Sequence, residues 1–250
     1  YNAGSYNGIR HNHVHHLALH VPCEANGGSG IVVDSYYKGK HGEVIGNNVH
    51  DIGPPECPVH HGIRVSTPSR VRSNVIYRIS GTGIQLWNDA HRVDITGNTV
   101  VSSGSGILVG GGDFYYSKGP NDHTVVANNI VFDNLRGILE QGATGANNRY
   151  LHNLVFQNAA GDWRLAPGRQ HAGTVAAEPA FLEYSRSGTP DFRLTSKSPA
   201  IGRGMVVETP EPDFEGKQRS VATGFDIGAF QHEQLPDAEL SRYDDPDSVR

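Results

Sequence analysis

The sequence contains few of the features that characterise helical, membrane-spanning or nucleic-acid-binding proteins. Its 250 residues include one methionine and two cysteines, whereas 31 glycines accompany abundant Asn, Val and Ile, a composition that favours strands and turns over helices. No run of about eighteen apolar residues occurs, so we expect no membrane span. The formal net charge of -5 argues against a basic face, so we expect no nucleic-acid partner.

An Asn residue followed two positions later by an aliphatic residue recurs along the chain. The recurring positions are Asn12, Asn47, Asn74, Asn98, Asn129 and Asn153. They are separated by 35, 27, 24, 31 and 24 residues, which is typical of solenoid coils that carry loops of variable length at one corner. Asn tolerates unusual backbone angles at such a corner, and stacked amides can hydrogen-bond from coil to coil.

A Gly-Ile step recurs in phase with the Asn positions. Its members are Gly30-Ile31, Gly62-Ile63, Gly83-Ile84, Gly106-Ile107 and Gly137-Ile138. Each begins a short strand in which the first and third residues after Gly are predicted to point inward and the second outward. The two patterns together predict an all-β fold, a single-stranded right-handed parallel β-helix with an irregular carboxy-terminal cap.

The repeat disappears after about Asp162, and a series of short motifs replaces it. In chain order these are Pro179-x-Phe181, Asp191-Phe-x-Leu194, Ser198-Pro-Ala-Ile201, Asp213-Phe-x-Gly216 and Asp226-Ile-Gly-Ala-Phe230. The series resembles the carboxy-terminal segment of many secreted bacterial parallel β-helix proteins, and this resemblance implies that it closes the carboxy-terminal end of the solenoid. We therefore divide the chain into coils at 1–161, a closing segment at 162–234 and a polar tail at 235–250.

The repeat as a whole resembles the pectate-lyase-like β-helix superfamily, and more loosely its alginate lyase and mannuronan epimerase branches. The resemblance implies a secreted or cell-surface protein that acts on a polysaccharide or oligosaccharide. The epimerase signature Tyr-Gly-Phe-Asp-Pro-His is absent, and the nearest stretch, His-Gly-Ile-Arg-Val-Ser at 61–66, keeps only the strand frame. No catalytic role is transferred from that motif.

The cysteines and the first residues bear on the amino-terminal coils. Cys23 and Cys57 each lie in a Pro-containing loop, and we expect one disulfide that joins adjacent coils. The sequence is already in phase with the repeat at its first residues. We therefore expect either a longer protein or another element that covers this end.

The outward positions of the Gly-Ile strands are polar mainly in the first three coils. They read Val32, Arg64, Gln85, Leu108 and Leu139, followed two places on by Asp34, Ser66, Trp87, Gly110 and Gln141. Ten of the 14 histidines also lie within the first 91 residues. We therefore expect the functional face on these coils.

Our leading hypothesis is a polysaccharide lyase that cleaves an acidic, uronate-containing polymer by β-elimination. Arg64 would neutralise the sugar carboxylate while a neutral imidazole abstracts the neighbouring proton. The candidate catalytic residues are His20, Tyr36, Lys38, His60, His61 and Arg64. The candidate substrate-binding residues are Asp34, Lys40, Gln85, Trp87, Tyr115 and Arg136. Several of them lie on two inserts rich in Tyr and Lys, at 34–41 and 110–123, whose rings can stack on sugars.

Other functions stay open on the same scaffold. A glycoside hydrolase would use paired carboxylates drawn from Asp34, Glu56, Asp89 and Asp113. A uronate epimerase, or a non-catalytic polysaccharide-binding or cell-surface solenoid, would use the same face.

No metal ligand or cofactor is assigned from the sequence, and the oligomeric state is not predicted. Calcium or another divalent metal is an open alternative. His15 and His50 occupy the same repeat position and are predicted to stack on adjacent coils, near His13, so imidazole ligation of a metal is a competing interpretation.

Overall fold

The computed structural model describes residues 1–23, 28–206, 212–221 and 224–232. Throughout these residues the chain is all-β: short strands pass through three parallel sheets in turn, and a small antiparallel pair follows. The predicted parallel β-helix is confirmed. Among the described residues there is no helix long and apolar enough to cross a membrane.

The first sheet contains the Gly-Ile strands. Its strands, in spatial order, are β3 (Ile31–Val33), β6 (Ile63–Val65), β9 (Thr82–Leu86), β12 (Ser105–Gly111), β15 (Arg136–Gly142) and β18 (Trp163–Arg164). The parallel register aligns the five isoleucines of the Gly-Ile steps, and all five are buried. Each coil therefore repeats the same inward and outward positions.

The second sheet follows the first in every coil. Its strands are β1 (Gly8–Arg10), β4 (Gly42–Ile45), β7 (Ser69–Arg72), β10 (Asp94–Thr96), β13 (Val125–Ala127), β16 (Arg149–Leu151) and β19 (His171–Ala172). Its middle residues, among them Val44, Val71 and Ile95, are fully buried in the shared core. The charged side chains of Glu43, Arg70 and Asp94 pair in register on the opposite face of this sheet.

The third sheet contains the Asn-x-Val strands. Its strands are β2 (His13–Leu17), β5 (Asn48–Ile52), β8 (Val75–Ile79), β11 (Thr99–Val101), β14 (Ile130–Phe132) and β17 (Leu154–Phe156). Val49, Ile76 and Val100 point into the core, where they meet the isoleucines of the first sheet. Alternation along each strand leaves the other residues facing outward.

The repeated Asn residues form a continuous ladder at the corner between the second and third sheets. Asn47 donates from Nδ2 to Oδ1 of Asn74 at 2.9 Å, and the same bond joins every neighbouring pair from Asn12 to Asn153. At each of the six ladder positions the corner has two residues, and the first has a positive φ. These first residues are His11, Gly46, Ser73, Gly97, Asn128 and His152. The predicted coil-to-coil amide bonds are thus confirmed.

Parallel pairing continues beyond the predicted end of the coils at 161. Ile138 pairs with Trp163 in the first sheet, and Leu154 forms a bridge with Val175. The Gly-Ile signal disappears because Trp163 takes the place of isoleucine. In the same region the core becomes polar, since buried Glu140 accepts the Tyr150 hydroxyl at 2.7 Å. The coils therefore extend to about residue 175.

The motif-rich segment lies along the side of the solenoid. It contains the antiparallel pair β20 (Phe181–Glu183) and β21 (Asp191–Leu194) and packs against the outward face of the third sheet in a second apolar cluster. The Tyr77 and Phe192 rings meet at 5.2 Å, and the Ala229 N–H donates to Thr99. The resemblance implied a cover over the last coil, but these contacts place the segment on a lateral face. The predicted tail at 235–250 lies outside the described residues.

Cys23 and Cys57 form the predicted disulfide, with Cα atoms 5.5 Å apart. Cys23 follows the first strand of the third sheet, and Cys57 follows the second strand. The bond therefore joins the loops of the first two coils.

Candidate functional site

The outward column of the first sheet carries the predicted polar residues of the early coils. Val32 pairs with Arg64, and Arg64 pairs with Gln85. Arg64 donates from Nη2 to Oδ1 of Asn88 at 2.9 Å. Its Nε and the Oε1 of Gln85 are enclosed without a hydrogen-bond partner among the described residues. These two atoms therefore lie beneath the face, and only the remaining parts of the two side chains reach the surface.

The two Tyr- and Lys-rich inserts meet beside this face. Buried Asp89 accepts N–H groups from Tyr115, Tyr116 and Ser117 of the second insert, at 3.2, 3.1 and 2.7 Å. It also accepts the Ser35 hydroxyl of the first insert at 2.9 Å. Burial raises the pKa of Asp89, but these hydrogen bonds outweigh burial and hold the net pKa below its usual value. One carboxylate therefore fastens both inserts together.

Five exposed tyrosines surround this junction, and we call them the tyrosine patch: Tyr1, Tyr36, Tyr37, Tyr115 and Tyr116. Their exposure ranges from 46% for Tyr115 to 75% for Tyr1. The Tyr36 ring lies edge-on to those of Tyr37 and Tyr115, at 5.1 and 5.5 Å. The Tyr116 hydroxyl donates to the Tyr36 carbonyl, so the inserts are bonded at the patch itself.

Charged groups are held within the patch. The Tyr1 hydroxyl donates to Oδ2 of Asp34 at 2.7 Å, and this bond raises the pKa of Tyr1 to about 12. The ammonium group of Lys38 lies 5.4 Å from the centre of the Tyr116 ring. The structure thus brings together three residues predicted for the site, Asp34, Tyr36 and Lys38, with Tyr115 beside them.

The Trp87 side chain packs against the first residues of the second insert. Its ring packs directly against the backbone of Gly110 and Gly112. A Cβ at these positions would come within 2.7 and 2.8 Å of ring atoms, respectively. Nε1 donates to Oδ2 of Asp113 at 3.1 Å. The half-buried ring therefore fixes the insert, and only its remaining exposed part can meet a ligand.

The prediction that His60 contacts a substrate is wrong. Its side chain is 0% exposed, and Nδ1 lies 3.1 Å from the disulfide sulfur of Cys57. Gly28 and Gly53 pack directly on the ring, where a Cβ would clash with it. The two cysteine loops enclose this imidazole completely, which the residue order alone does not reveal.

His61 is also buried, and Nδ1 accepts the Thr82 N–H at 3.2 Å. Burial, the Arg64 charge and His60 together lower the pKa of His61 to about 4. Arg64 does not hydrogen-bond to His61; its guanidinium donates to Asn88, which follows the carboxyl end of β9. The predicted histidine–arginine pair is therefore not assembled at the surface.

Two other predicted residues, His20 and Arg136, lie apart from the two inserts, whereas Lys40 belongs to the first insert. Arg136 lines a groove of about 590 Å³ at the opposite edge of the first sheet, with Thr82 and Ser105. His20 lies exposed in the loop that precedes the disulfide, and Lys40 is exposed on the first insert. The structure thus gathers the insert residues and leaves His20 and Arg136 outside them.

An imidazole cluster on the third sheet was found only in part from the sequence. His15 and His50 stack at 5.2 Å with 15° between their planes, as predicted. His16 and Asp51 join them, and this was missed. The signal was present, since His-Val-His-His of β2 aligns with Asn-Val-His-Asp of β5.

Comparison with protein families agrees with this architecture. Curated protein sequences gave no match. Residues 1–122, which contain both cysteines and all five residues of the tyrosine patch, are similar to the family described as right handed beta helix region.

Proposed function

We propose that this chain binds an acidic polysaccharide along the outward face of the first sheet, with the tyrosine patch stacking against the sugar rings. The observation that carries the proposal is the patch itself. Two inserts about 80 residues apart in sequence are fastened by buried Asp89 so that exposed aromatic rings stand together. Aromatic rings offer sugars a large apolar face, and the phenol groups add hydrogen bonds.

The solenoid suits a long ligand because its outward positions repeat at each coil, about 4.8 Å apart. The face next to the patch also carries the half-buried side chains of Arg64 and Gln85, which lie on adjacent coils. A polymer that crosses several coils can contact both. This supports a polymer in preference to a small, single-ring ligand.

Positive side chains favour an acidic polymer. Lys38 and Lys40 are exposed on the first insert, and Lys118 is exposed on the second. Asp34 is the single carboxylate in residues 34–41, so the two lysines give the first insert a net positive charge. We therefore expect uronate polymers to bind more tightly than neutral ones, with an affinity that falls as salt rises.

Calorimetric titration with polygalacturonate, alginate and a neutral glucan tests the proposal. Tyr36→Ala and Tyr115→Ala should each weaken uronate binding by about fivefold, which corresponds to about 1 kcal/mol. Tyr6→Ala is the matched control, because this exposed tyrosine stacks on His41 and does not belong to the patch. Lack of binding to all three polymers, or equal losses in all three variants, would contradict the proposal.

A second candidate function is β-elimination of the bound uronate, favoured by the half-buried guanidinium of Arg64 at an outward position of the face. Arg64 would neutralise the uronate carboxylate, and the Lys38 side chain, once deprotonated, would remove the C5 proton. The C4–O bond would then break as the C4=C5 double bond forms, and the Tyr36 phenol would donate a proton to the departing oxygen. Unsaturated products absorb in the ultraviolet, so continuous absorbance on the same polymers detects the reaction. Arg64→Ala should abolish the signal. New reducing ends without absorbance would indicate hydrolysis, and binding without either product would leave the binding function alone.

The same proposal includes a secreted or cell-surface location. The Cys23–Cys57 disulfide supports it, because disulfides persist mainly in oxidising compartments.

A further inference from the structure

Four histidines stand together on the outward face of the third sheet, in its first two coils. They are His13, His15 and His16 of β2 and His50 of β5. From Tyr77 onward the motif-rich segment packs against this face, beginning with the Tyr77–Phe192 contact. His13, His15 and His16 are exposed, whereas His50 is 7% exposed. The cluster thus occupies the part of the face that lies before this cover.

The ring nitrogens of these histidines face each other in pairs. Nε2 of His13 lies 2.6 Å from Nε2 of His50, and Nδ1 of His15 lies 2.7 Å from Nδ1 of His16. A neutral imidazole has one N–H and one lone pair, so each close pair holds a single proton between its two nitrogens. The remaining nitrogen of His50, Nδ1, lies 2.5 Å from Oδ2 of Asp51.

The coil register places a third donor beside His50 and Asp51. His15 pairs with His50 and Leu17 pairs with Ile52, so His16 and Asp51 occupy the same position on adjacent coils. Both have a positive φ, 55° and 54°, which turns their side chains to the same corner. One ligand atom each of His16, His50 and Asp51 lies within 4.8 Å of the other two.

We propose that His16, His50 and Asp51 form a binding site for a divalent first-row transition metal ion such as Zn²⁺. Two imidazoles and one carboxylate suit zinc, nickel or copper better than calcium or magnesium, which prefer oxygen ligands. Tetrahedral ligands at the bond lengths of about 2.0–2.1 Å that zinc requires lie about 3.3 Å from one another. The widest separation in the cluster would therefore shorten on binding, and the contact of Nδ1 of His50 with Oδ2 of Asp51 would lengthen. Exposed His16 leaves the fourth position open to solvent.

The neighbouring groups hold each ligand in place. His13 contacts the second nitrogen of His50, and His15 contacts Nδ1 of His16, so Nε2 of His16 is left for the metal. Arg78 donates from Nε and Nη2 to the two oxygens of Asp51, both at 2.7 Å. Contacts of this kind fix the orientation of metal ligands.

The metal would link two coils, because His16 belongs to the first and His50 and Asp51 to the second. It lies on a different sheet from the tyrosine patch, so the site is independent of the proposed polysaccharide binding. A ligand that binds only the folded chain raises its melting temperature. Zinc should therefore stabilise the amino-terminal coils.

Titration of the full chain, stripped with a chelator, with Zn²⁺ against a metal-binding dye tests this site. We expect one equivalent to bind and a rise in melting temperature of about 5 °C at a hundredfold excess over the Kd. His16→Ala should weaken binding by about tenfold or more and remove the thermal shift. His16 is exposed, so this variant should fold like the original chain, as circular dichroism would check.

His123→Ala is the matched control, since His123 is another exposed imidazole beside a carboxylate, that of Asp122. It should bind zinc like the original chain. Absence of saturable binding, unchanged affinity in His16→Ala, or an equal loss in His123→Ala would overturn the site. His13→Asn, which alters only the partner of His50, should weaken binding less than His16→Ala.

Discussion

The interior residues of the Asn ladder each satisfy several backbone and side-chain groups at once. Asn98 accepts the N–H of Asn74 at 3.0 Å and its Nδ2 group at 2.9 Å. It donates in turn to Oδ1 of Asn129 and to the Val71 carbonyl, both at 2.9 Å. Its side chain is fully buried, so water cannot replace any of these bonds. Removing one such side chain therefore leaves several partners unpaired.

Asn98→Ala should lower the free energy of unfolding by about 2–4 kcal/mol, because buried donors and acceptors lose their partners. Asn12→Ala is the matched control at the exposed end of the ladder, where only Asn47 is a ladder neighbour, and it should cost about 1 kcal/mol or less. Chemical denaturation measures both values. If the two variants lose the same free energy of unfolding, the interior positions of the ladder contribute no more to stability than its exposed end.

His61 gives the fold a specific dependence on pH. Its pKa, lowered to about 4 by burial, Arg64 and His60, lies below the ordinary value of 6.5. The unfolded chain therefore binds a proton that the folded chain does not accept between these two values. The contribution to stability is fully present above pH 6.5 and falls by about 3 kcal/mol as the pH drops to 4.

His61→Gln tests this dependence because glutamine keeps an acceptor for the Thr82 N–H and does not titrate. Denaturation curves at several pH values should show a smaller loss of stability between pH 6.5 and 4 in the variant. Parallel curves for the two proteins would assign the pH dependence to other groups.

At the scale of elements, the second insert is ordered chiefly by one carboxylate. Asp89→Asn would replace one of its oxygens with an NH₂ group that faces the N–H groups of residues 115–117. We expect a loss of about 1–3 kcal/mol and faster hydrogen exchange and proteolysis at 113–118. Polysaccharide binding should weaken with it.

Asp191→Asn provides the comparison, because Asp191 bonds to Arg193 on the exposed antiparallel pair far from the inserts. It should leave exchange at 113–118 unchanged. If both variants loosen the insert equally, Asp89 is not what fastens it.

Periodic elements could be predicted from the sequence, whereas their contacts with loops could not. The Gly-Ile and Asn-x-Val steps fix which residues face inward, so the outward positions of Arg64 and Gln85 followed directly from alternation. The burial of His60 depends on how two cysteine loops fold over it, and no local pattern encodes that. Likewise, the contact of Tyr36 with Tyr115 depends on Asp89, which is in neither insert.

The carboxy-terminal segment illustrates the same limit at larger scale. Its motifs indicated a familiar segment, and the resemblance implied a place at the end of the solenoid. The outward residues of the third sheet provide the physical reason for its actual place. Tyr77, Val101 and Phe132 are apolar and would be exposed without it.

Across the whole molecule, the amino-terminal coils depend on a covalent link more than the others do. The disulfide closes a loop between positions 34 residues apart, which restricts the unfolded chain. Replacing Cys23 and Cys57 together with serine should cost about 3–4 kcal/mol. Because each coil contacts only its neighbours, hydrogen exchange should increase first in the first two coils.

Addition of a reductant to this double variant should have no further effect, which provides the control. A uniform increase in exchange along all coils would contradict the local role of the disulfide.

The two-residue corner of the Asn ladder has a consequence for how the protein tolerates changes in length. Inserts of different lengths occupy other corners without altering the pairing of any strand, as the inserts at 34–41 and 110–123 demonstrate. The ladder corner has two residues in every coil, so it keeps the strands of the second and third sheets in register while the loops at the other corners vary in length. A foreign peptide placed in the second insert would leave the register between the strands of adjacent coils unchanged. The same peptide placed between Ser73 and Asn74 would interrupt the ladder of hydrogen bonds from Asn47 through Asn74 to Asn98. The molecule would then behave as two short solenoids with unpaired ends.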